Sequence, residues 1–271
     1  MVERWPDAAP DDVPVWDCHG HLHDDPGGPR GARLLDAMDH LGIERILVSR
    51  LWGDNRVPAT ATPDDFRRAN RAVEGWTARH RDRFLPYCFV SCTYPEEAER
   101  ELEECVERRG FLGLKLYAAC RYDDPRVEPV VARAARYGIP TLLHVVQRRV
   151  QEIPGQYVSD GREVAHLARR LPDAALIMAH VGGGGDWAYS LKAVRPHANV
   201  YVDLAGSVVD AGLVERAYAA VGPGRLLFGT DGSMCEGTGK LRGADIPDAD
   251  KRPIWGETLR GLLERRERRR A

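Results

Sequence analysis

Five side chains with metal-binding chemistry close short apolar runs that lie far apart in the sequence. The first run ends Asp17-Cys18-His19-Gly20-His21, and later runs end at His144 (T-L-L-H), His180 (L-I-M-A-H) and Asp231 (L-L-F-G-T-D). A further run carries Lys115 within G-L-K-L-Y, and lysine is otherwise confined to Lys192, Lys240 and Lys251. Residues two apart on a strand project to the same side, so His19 and His21 can address one point. Two neutral imidazoles and a carboxylate suit a divalent cation such as zinc. Taken alone, H-x-H also fits a chance pair in a histidine-rich loop. The further ligands at other run ends favour the metal. His23 reads as a loop residue, and His40, His80, His166 and His197 fall in or beside helical patterns, where surface or capping roles explain them.

The runs that must position these residues are 13–19, 44–49, 84–90, 111–117, 140–146, 174–180, 199–205 and 225–230. Each is brief, apolar and bounded by Gly, Pro or charge, as expected of strands buried on both faces. Amphipathic segments at 31–41, 63–81, 95–109, 125–137 and 162–171 lie between them. Pro63, Pro95 and Pro125 stand where a first helical turn needs no amide donor. Thr62 and Asp124 are the expected N-caps before two of them, and Gly42, Gly110 and Gly138 suit left-handed helix ends. The alternation predicts an α/β protein with a parallel sheet and helical crossovers. Periodicity does not separate a closed (β/α)8 barrel from an open doubly wound sheet. In a barrel, all the reactive strand ends share the face where such folds build active sites.

Composition narrows the functional classes. In 271 residues, 39 Lys plus Arg oppose 41 Asp plus Glu, and a net charge of −2 argues against a nucleic-acid or membrane-surface binder driven by bulk charge. A hydrophobic share of 43% excludes disorder and permits a large core. No apolar run reaches the roughly 18 residues of a membrane span, and the acidic, Pro-rich start lacks a signal-peptide pattern. Six cysteines without a CxxC pair read as reduced thiols of a cytoplasmic protein. Cys18, next to the metal-facing His19 on its strand, is expected to point away into packing. The closing E-R-R-E-R-R-R reads as a solvated continuation of the last helix rather than a nucleic-acid tail. The expected partner is a small-molecule substrate; homo-oligomerisation stays open.

Together these motifs, in order from Val13 to Leu263, resemble the amidohydrolase superfamily, and most of all its amidohydrolase-2 branch of metal-dependent TIM-barrel enzymes. The resemblance rests on D-x-H-x-H, G-x-K-L, D-D-P-R at Asp123–Arg126, G-I-P-x-L-x-H, A-H-x-G-G and F-G-T-D. It implies a single (β/α)8 TIM barrel in which His19, His21, His144 and Asp231 hold the metal, with His180 beside the bound water or substrate oxygen. One ion, most simply Zn2+, is the expectation. In two-metal relatives a fourth-strand lysine is carboxylated and bridges both ions, so Lys115 stands open to that role, to substrate binding, or to pairing with a neighbouring acid. After Asp231 the chain lacks the D-x-P often found in relatives, and Glu257–Thr258 stands where an asparagine is common.

The main expectation is hydrolysis of an amide, lactone or ester bond by metal-activated water. Asp231 acts there as the base and His180 polarises the carbonyl oxygen. The alternative uses the same cage for decarboxylation or hydration of a small unsaturated carboxylic acid, with Arg50, Arg121, Arg148 or Arg149 as a carboxylate clamp. A third reading is a metal-stabilised scaffold without catalysis. Trp52, Tyr117 and Trp187 are candidate pocket walls or local packing residues. Gly182–Gly185 lets the chain turn near the metal or cradles a phosphate, and Cys120 and Cys235 near the rim read as ordinary, partly buried thiols. The segments 51–62, 147–161 and 232–250 are expected to be long loops that set specificity, the last acting as a lid.

Overall fold

The computed structural model describes residues 4–5, 8–23, 27–51, 58–146, 157–182, 187–206 and 208–270. Eight parallel strands form one sheet in chain order: β1 (Trp16–His21), β2 (Arg45–Ser49), β3 (Phe84–Val90), β4 (Gly113–Leu116), β5 (Thr141–Leu143), β6 (Leu176–Met178), β7 (Val200–Asp203) and β8 (Leu226–Leu227). The crossovers are α1 (Pro29–Leu41), α2 (Pro63–Arg79), α3 (Pro95–Glu107), α4 (Val127–Arg136), α5 (Gly161–Arg170), α6 (Trp187–Val194) and α7 (Leu213–Val221). After β8 come α8 (Met234–Gly243), α9 (Asp248–Arg252), a π-turn at Pro253–Glu257 and α10 (Thr258–Arg270). No helix among the described residues is long and apolar enough to cross a membrane.

The two ends of the sheet meet, which decides for the barrel over the open sheet. The Cys18 amide donates to the Phe228 carbonyl at 2.9 Å, and the Asp231 amide to the His19 carbonyl at 2.8 Å. Side chains add a latch: Thr230 Oγ1 lies 2.6 Å from Asp17 Oδ2, and the Thr230 amide donates to Oδ1 at 3.2 Å. Burial pushes the Asp17 carboxyl up to about 8, against the pull of Thr230 and the His19 amide, so its partners matter. Thr230→Val keeps the shape but removes the hydroxyl, and is expected to lower the unfolding free energy by about 1–3 kcal/mol. Urea unfolding checks this; an unchanged midpoint would mean that the latch contributes nothing.

Local sequence explains most of the helix starts. Thr62 caps α2 in a reciprocal box with Asp65, and Asp160 does the same for α5 with Glu163. Asp124 does not cap a helix. Its Oδ1 accepts from the Arg126 amide at 2.9 Å, making a turn that delays α4 to Val127. The segment expected as a lid, 232–250, is largely helical instead. Its α8 buries Met234, Gly237, Thr238 and Leu241 and packs against α1.

The apolar residues divide into two layers, as two-sided strands require. Ile46, Val48, Leu114, Leu116, Leu143 and Met178 pack outward under the helices, while Leu47, Tyr87, Leu142, Ile177 and Leu227 form a separate cluster inside the barrel. Cys18 belongs to the inner cluster, contrary to the alternation expected of an unbroken strand. The β1–β2 register shifts between Asp17 and Gly20, and such a bulge re-aims the residues after it. Cys18 therefore shares the interior with His19.

Candidate metal centre

His19 and His21, two apart on β1, address the same point. Their Nε2 atoms are 3.2 Å apart. The outer nitrogens are held separately: His19 Nδ1 lies 2.8 Å from Asp203 Oδ2, and His21 Nδ1 lies 2.9 Å from Ser49 Oγ. A carboxylate only accepts, so His19 carries its proton on Nδ1 and presents a bare Nε2 to the cluster. Burial, reinforced by the charge of Lys115, pushes the His19 pKa down to about 3. Burial also lowers that of His21. Both rings are neutral, as metal binding requires.

Asp231 and His180 complete the cluster from the opposite side. Asp231 Oδ1 is 3.0 Å from His21 Nε2 and 3.5 Å from His19 Nε2, and its Oδ2 is 3.1 Å from His180 Nε2. Burial alone would raise the Asp231 pKa, but the imidazoles of His180 and His21 overcome it and hold the carboxyl well below its usual range. Both residues adopt left-handed backbone, with φ of 58° at His180, 52° at Val181 and 50° at Asp231. The left-handed region is sparsely populated by non-glycine residues, and a β-branched residue such as Val181 is an outlier there. Strain of this kind persists where surrounding contacts over-determine it. Here the His180 amide donates to Asp203 Oδ1 at 2.9 Å, and Gly206, itself at φ 85°, lies so close that an added Cβ would meet the His180 Cβ at 3.2 Å.

Lys115 and His144 form the third side. Lys115 is fully buried, with Nζ 3.1 Å from His19 Nε2, and burial lowers its pKa to about 8 despite the counter-pull of Asp231 and Asp203. His144 sits one ring further out, its centroid 5.0 Å from that of His180 and stacked at 4.1 Å on Tyr117. Burial and then His180 keep its pKa well below the usual imidazole value. The ligand atoms of His19, His180 and Asp231 all lie within 4.8 Å of one another.

These residues fit a cation. His19 offers a bare Nε2, His21 Nε2 stands 3.2 Å from it, and the Asp231 carboxylate adds the negative charge that a cation needs. His180 Nε2 is buried and makes no aligned hydrogen bond although Asp231 is near. A buried nitrogen left without a hydrogen bond costs free energy, which a cation or a substrate atom placed beside it would offset.

Other expected residues fall elsewhere. Arg121 is engaged by Asp123 and by buried Glu163, both at 2.9 Å. Trp187 is buried and donates to Asp210 at 2.7 Å. Cys120 is buried and Cys235 exposed. Trp52, Arg148, Arg149 and Gly183–Gly185 lie outside the described residues. Sequence reasoning passed over Asp203, which binds His19, the His180 amide and the Ala205 amide. Its signal was an acid ending the buried run V-Y-V-D.

The amidohydrolase family model matches residues 16–260. The chain belongs to the amidohydrolase family, in its amidohydrolase-2 branch. Among members with assigned activity, the gamma-resorcylate decarboxylase of Rhizobium radiobacter is 30% identical over 125 residues, an alignment spanning 41% of this chain and only 37% of that relative. The gamma-resorcylate decarboxylase of Polaromonas sp. (strain JS666 / ATCC BAA-500) is 24% identical over 302 aligned positions, covering 89% of this chain and 92% of the relative. In three dimensions, a dihydroxybenzoic acid decarboxylase from Polaromonas sp. JS666, with bound manganese and the inhibitor 2-nitroresorcinol, superposes with a TM-score of 0.71 at 20% identity. That match covers 93% of this chain and 97% of the other. These matches overturn the expectation of hydrolysis, because the amidohydrolases this chain resembles here are decarboxylases. Imidazoles and carboxylates of this kind serve several reactions, and which bond is broken depends on what the loops admit. A divalent metal is supported by the family and by the manganese-bound neighbour, whereas zinc in particular is not.

Proposed function

We propose that this amidohydrolase is a non-oxidative, metal-dependent decarboxylase of a small hydroxy-substituted aromatic carboxylic acid. The observation that carries the reading is the convergence of His19, His21, His180 and Asp231 on one point, in a chain whose relatives of assigned activity are gamma-resorcylate decarboxylases. His19, His21, His144 and Asp231 would hold one divalent ion, with the zinc expected from ligand type and the manganese of the Polaromonas neighbour as the two cations to compare. When bound, the ion supplies Lewis-acid attraction for substrate oxygens. Lys115 stays an uncarboxylated amine in this reading, buried beside the ligands.

The reaction balances as ArCO2− + H+ → ArH + CO2. The bond from ring to carboxylate breaks, its electron pair stays on the ring carbon, and a proton takes the vacated position. His180, whose Nε2 lies 3.1 Å from Asp231 Oδ2, is the residue placed to deliver that proton. Asp203 fixes the His180 backbone and the His19 ring together, so the proton carrier and a metal ligand keep their relative positions. A ring hydroxyl ortho or para to the carboxylate favours proton uptake at the carbon that bears it.

Metal-loaded protein is expected to release CO2 from one or more hydroxybenzoates and, in D2O, to leave deuterium on the ring carbon that carried the carboxylate. Metal analysis of the same sample, with and without dialysis against a chelator, is expected to show activity lost and regained with one divalent ion per chain. Failure of a broad hydroxybenzoate panel to yield CO2, or two ions per chain at full activity, would defeat the corresponding part of the proposal.

A further inference from the structure

The cavity that reaches the cluster at His21 is far larger than one aromatic ring requires. Its volume is about 630 Å³, whereas a cavity of about 150 Å³ already holds benzene. It begins at His21 and Gly232, next to Asp231, and continues along the cleft between α1 and α8. Leu22 follows His21 in its wall, Leu34 and Ala37 contribute from α1, Met234 from α8, and Trp5 from the segment before β1. The Trp5 amide donates to the carbonyl of His40, near the end of α1, which fixes that part of the wall. From Arg30 to Ala37 the α1 face spans about 10 Å at 1.5 Å per residue.

An apolar-walled cavity with a few polar groups at its edge is the usual form of a small-molecule site, and its continuity with His21 ties it to the reacting end. Arg30 and Arg33 also border the cleft and are exposed. Arginine at such a border can cover apolar surface with its stem while the guanidinium stays in water. We propose that the cleft takes an apolar substituent on the ring position opposite the carboxylate, so that the substrate is an alkyl- or aryl-extended hydroxybenzoate. This assignment rests on the decarboxylase reading for the identity of the acid, but not for its affinity.

The test is calorimetric titration of manganese-loaded protein with para-alkylated hydroxybenzoates, from unsubstituted to hexyl. At about 0.8 kcal/mol per buried methylene, Kd is expected to fall about three- to fourfold per carbon until the cleft is filled. Ala37→Trp, which fills part of the cleft, is expected to erase the gain from the longer chains and keep that from methyl and ethyl. Met234→Gln, which makes one wall polar without adding bulk, is expected to shrink the gain per carbon. A Kd indifferent to chain length, or a full gain surviving both substitutions, overturns the assignment. CO2 release is followed on the same series. Chain-length-dependent binding without CO2 would refute decarboxylation and leave the cleft assignment standing, whereas CO2 release with no chain-length dependence would do the reverse.

Discussion

Asp231→Asn is expected to weaken divalent-metal binding by about 10²–10⁴-fold and to abolish CO2 release while the barrel remains folded. The carboxylate touches three imidazoles, with oxygen–nitrogen distances of 3.0, 3.1 and 3.5 Å. Removing one charge from a buried pair typically costs about 3–5 kcal/mol, which gives the stated range at 1.4 kcal/mol per decade. Asparagine is the informative replacement because Asp231 has a φ of 50°, and asparagine tolerates left-handed backbone better than alanine does. Metal content after equilibration at low free metal, alongside circular-dichroism melting, separates the two effects. A fully metallated Asp231→Asn protein would remove Asp231 from the ligand set.

The second large effect is expected at Asp203, a residue that touches no substrate in this reading. Asp203→Asn keeps an oxygen to accept from the His180 and Ala205 amides, bonds now made to Oδ1 at 2.9 and 2.8 Å. Its new amide nitrogen would face His19 Nδ1, where the carboxylate oxygen now lies at 2.8 Å. A donor there drives the His19 proton to Nε2 and removes the lone pair offered to the metal. Loss of such an outer partner typically costs about 10–100-fold in metal affinity. The expected pattern is weaker metal binding with a melting temperature close to the parent's. A large drop in melting temperature with unaltered metal affinity would make Asp203 a packing residue only.

Both effects concern a site that was half legible in the sequence. His19, His21, His180 and Asp231 could be read because parallel strands deliver their ends to one face whatever their order, and each ended a recognisable apolar run. Asp203 could not be paired with His19 by pattern, because the two are 184 positions apart and one acid at a strand end is common. The cap at Asp124 misled because the same Asx turn that starts some helices here only bends the chain before one. The hydrolytic expectation failed for a different reason: imidazoles and carboxylates around a cation serve several reactions, and their spacing carries no record of the substrate.

Sequence alone determined the alternation of strands and helices, the neutral balance of charge and the donor types available to a cation. These depend on contacts between near neighbours, on composition and on side-chain chemistry, which local periodicity reports directly. Closure of the sheet, the bulge that brings Cys18 and His19 onto one side, the left-handed turn at His180 and the apolar cleft beside His21 were decided by tertiary structure. Each depends on atoms brought together from distant parts of the chain, and on backbone strain that only the surrounding packing can hold.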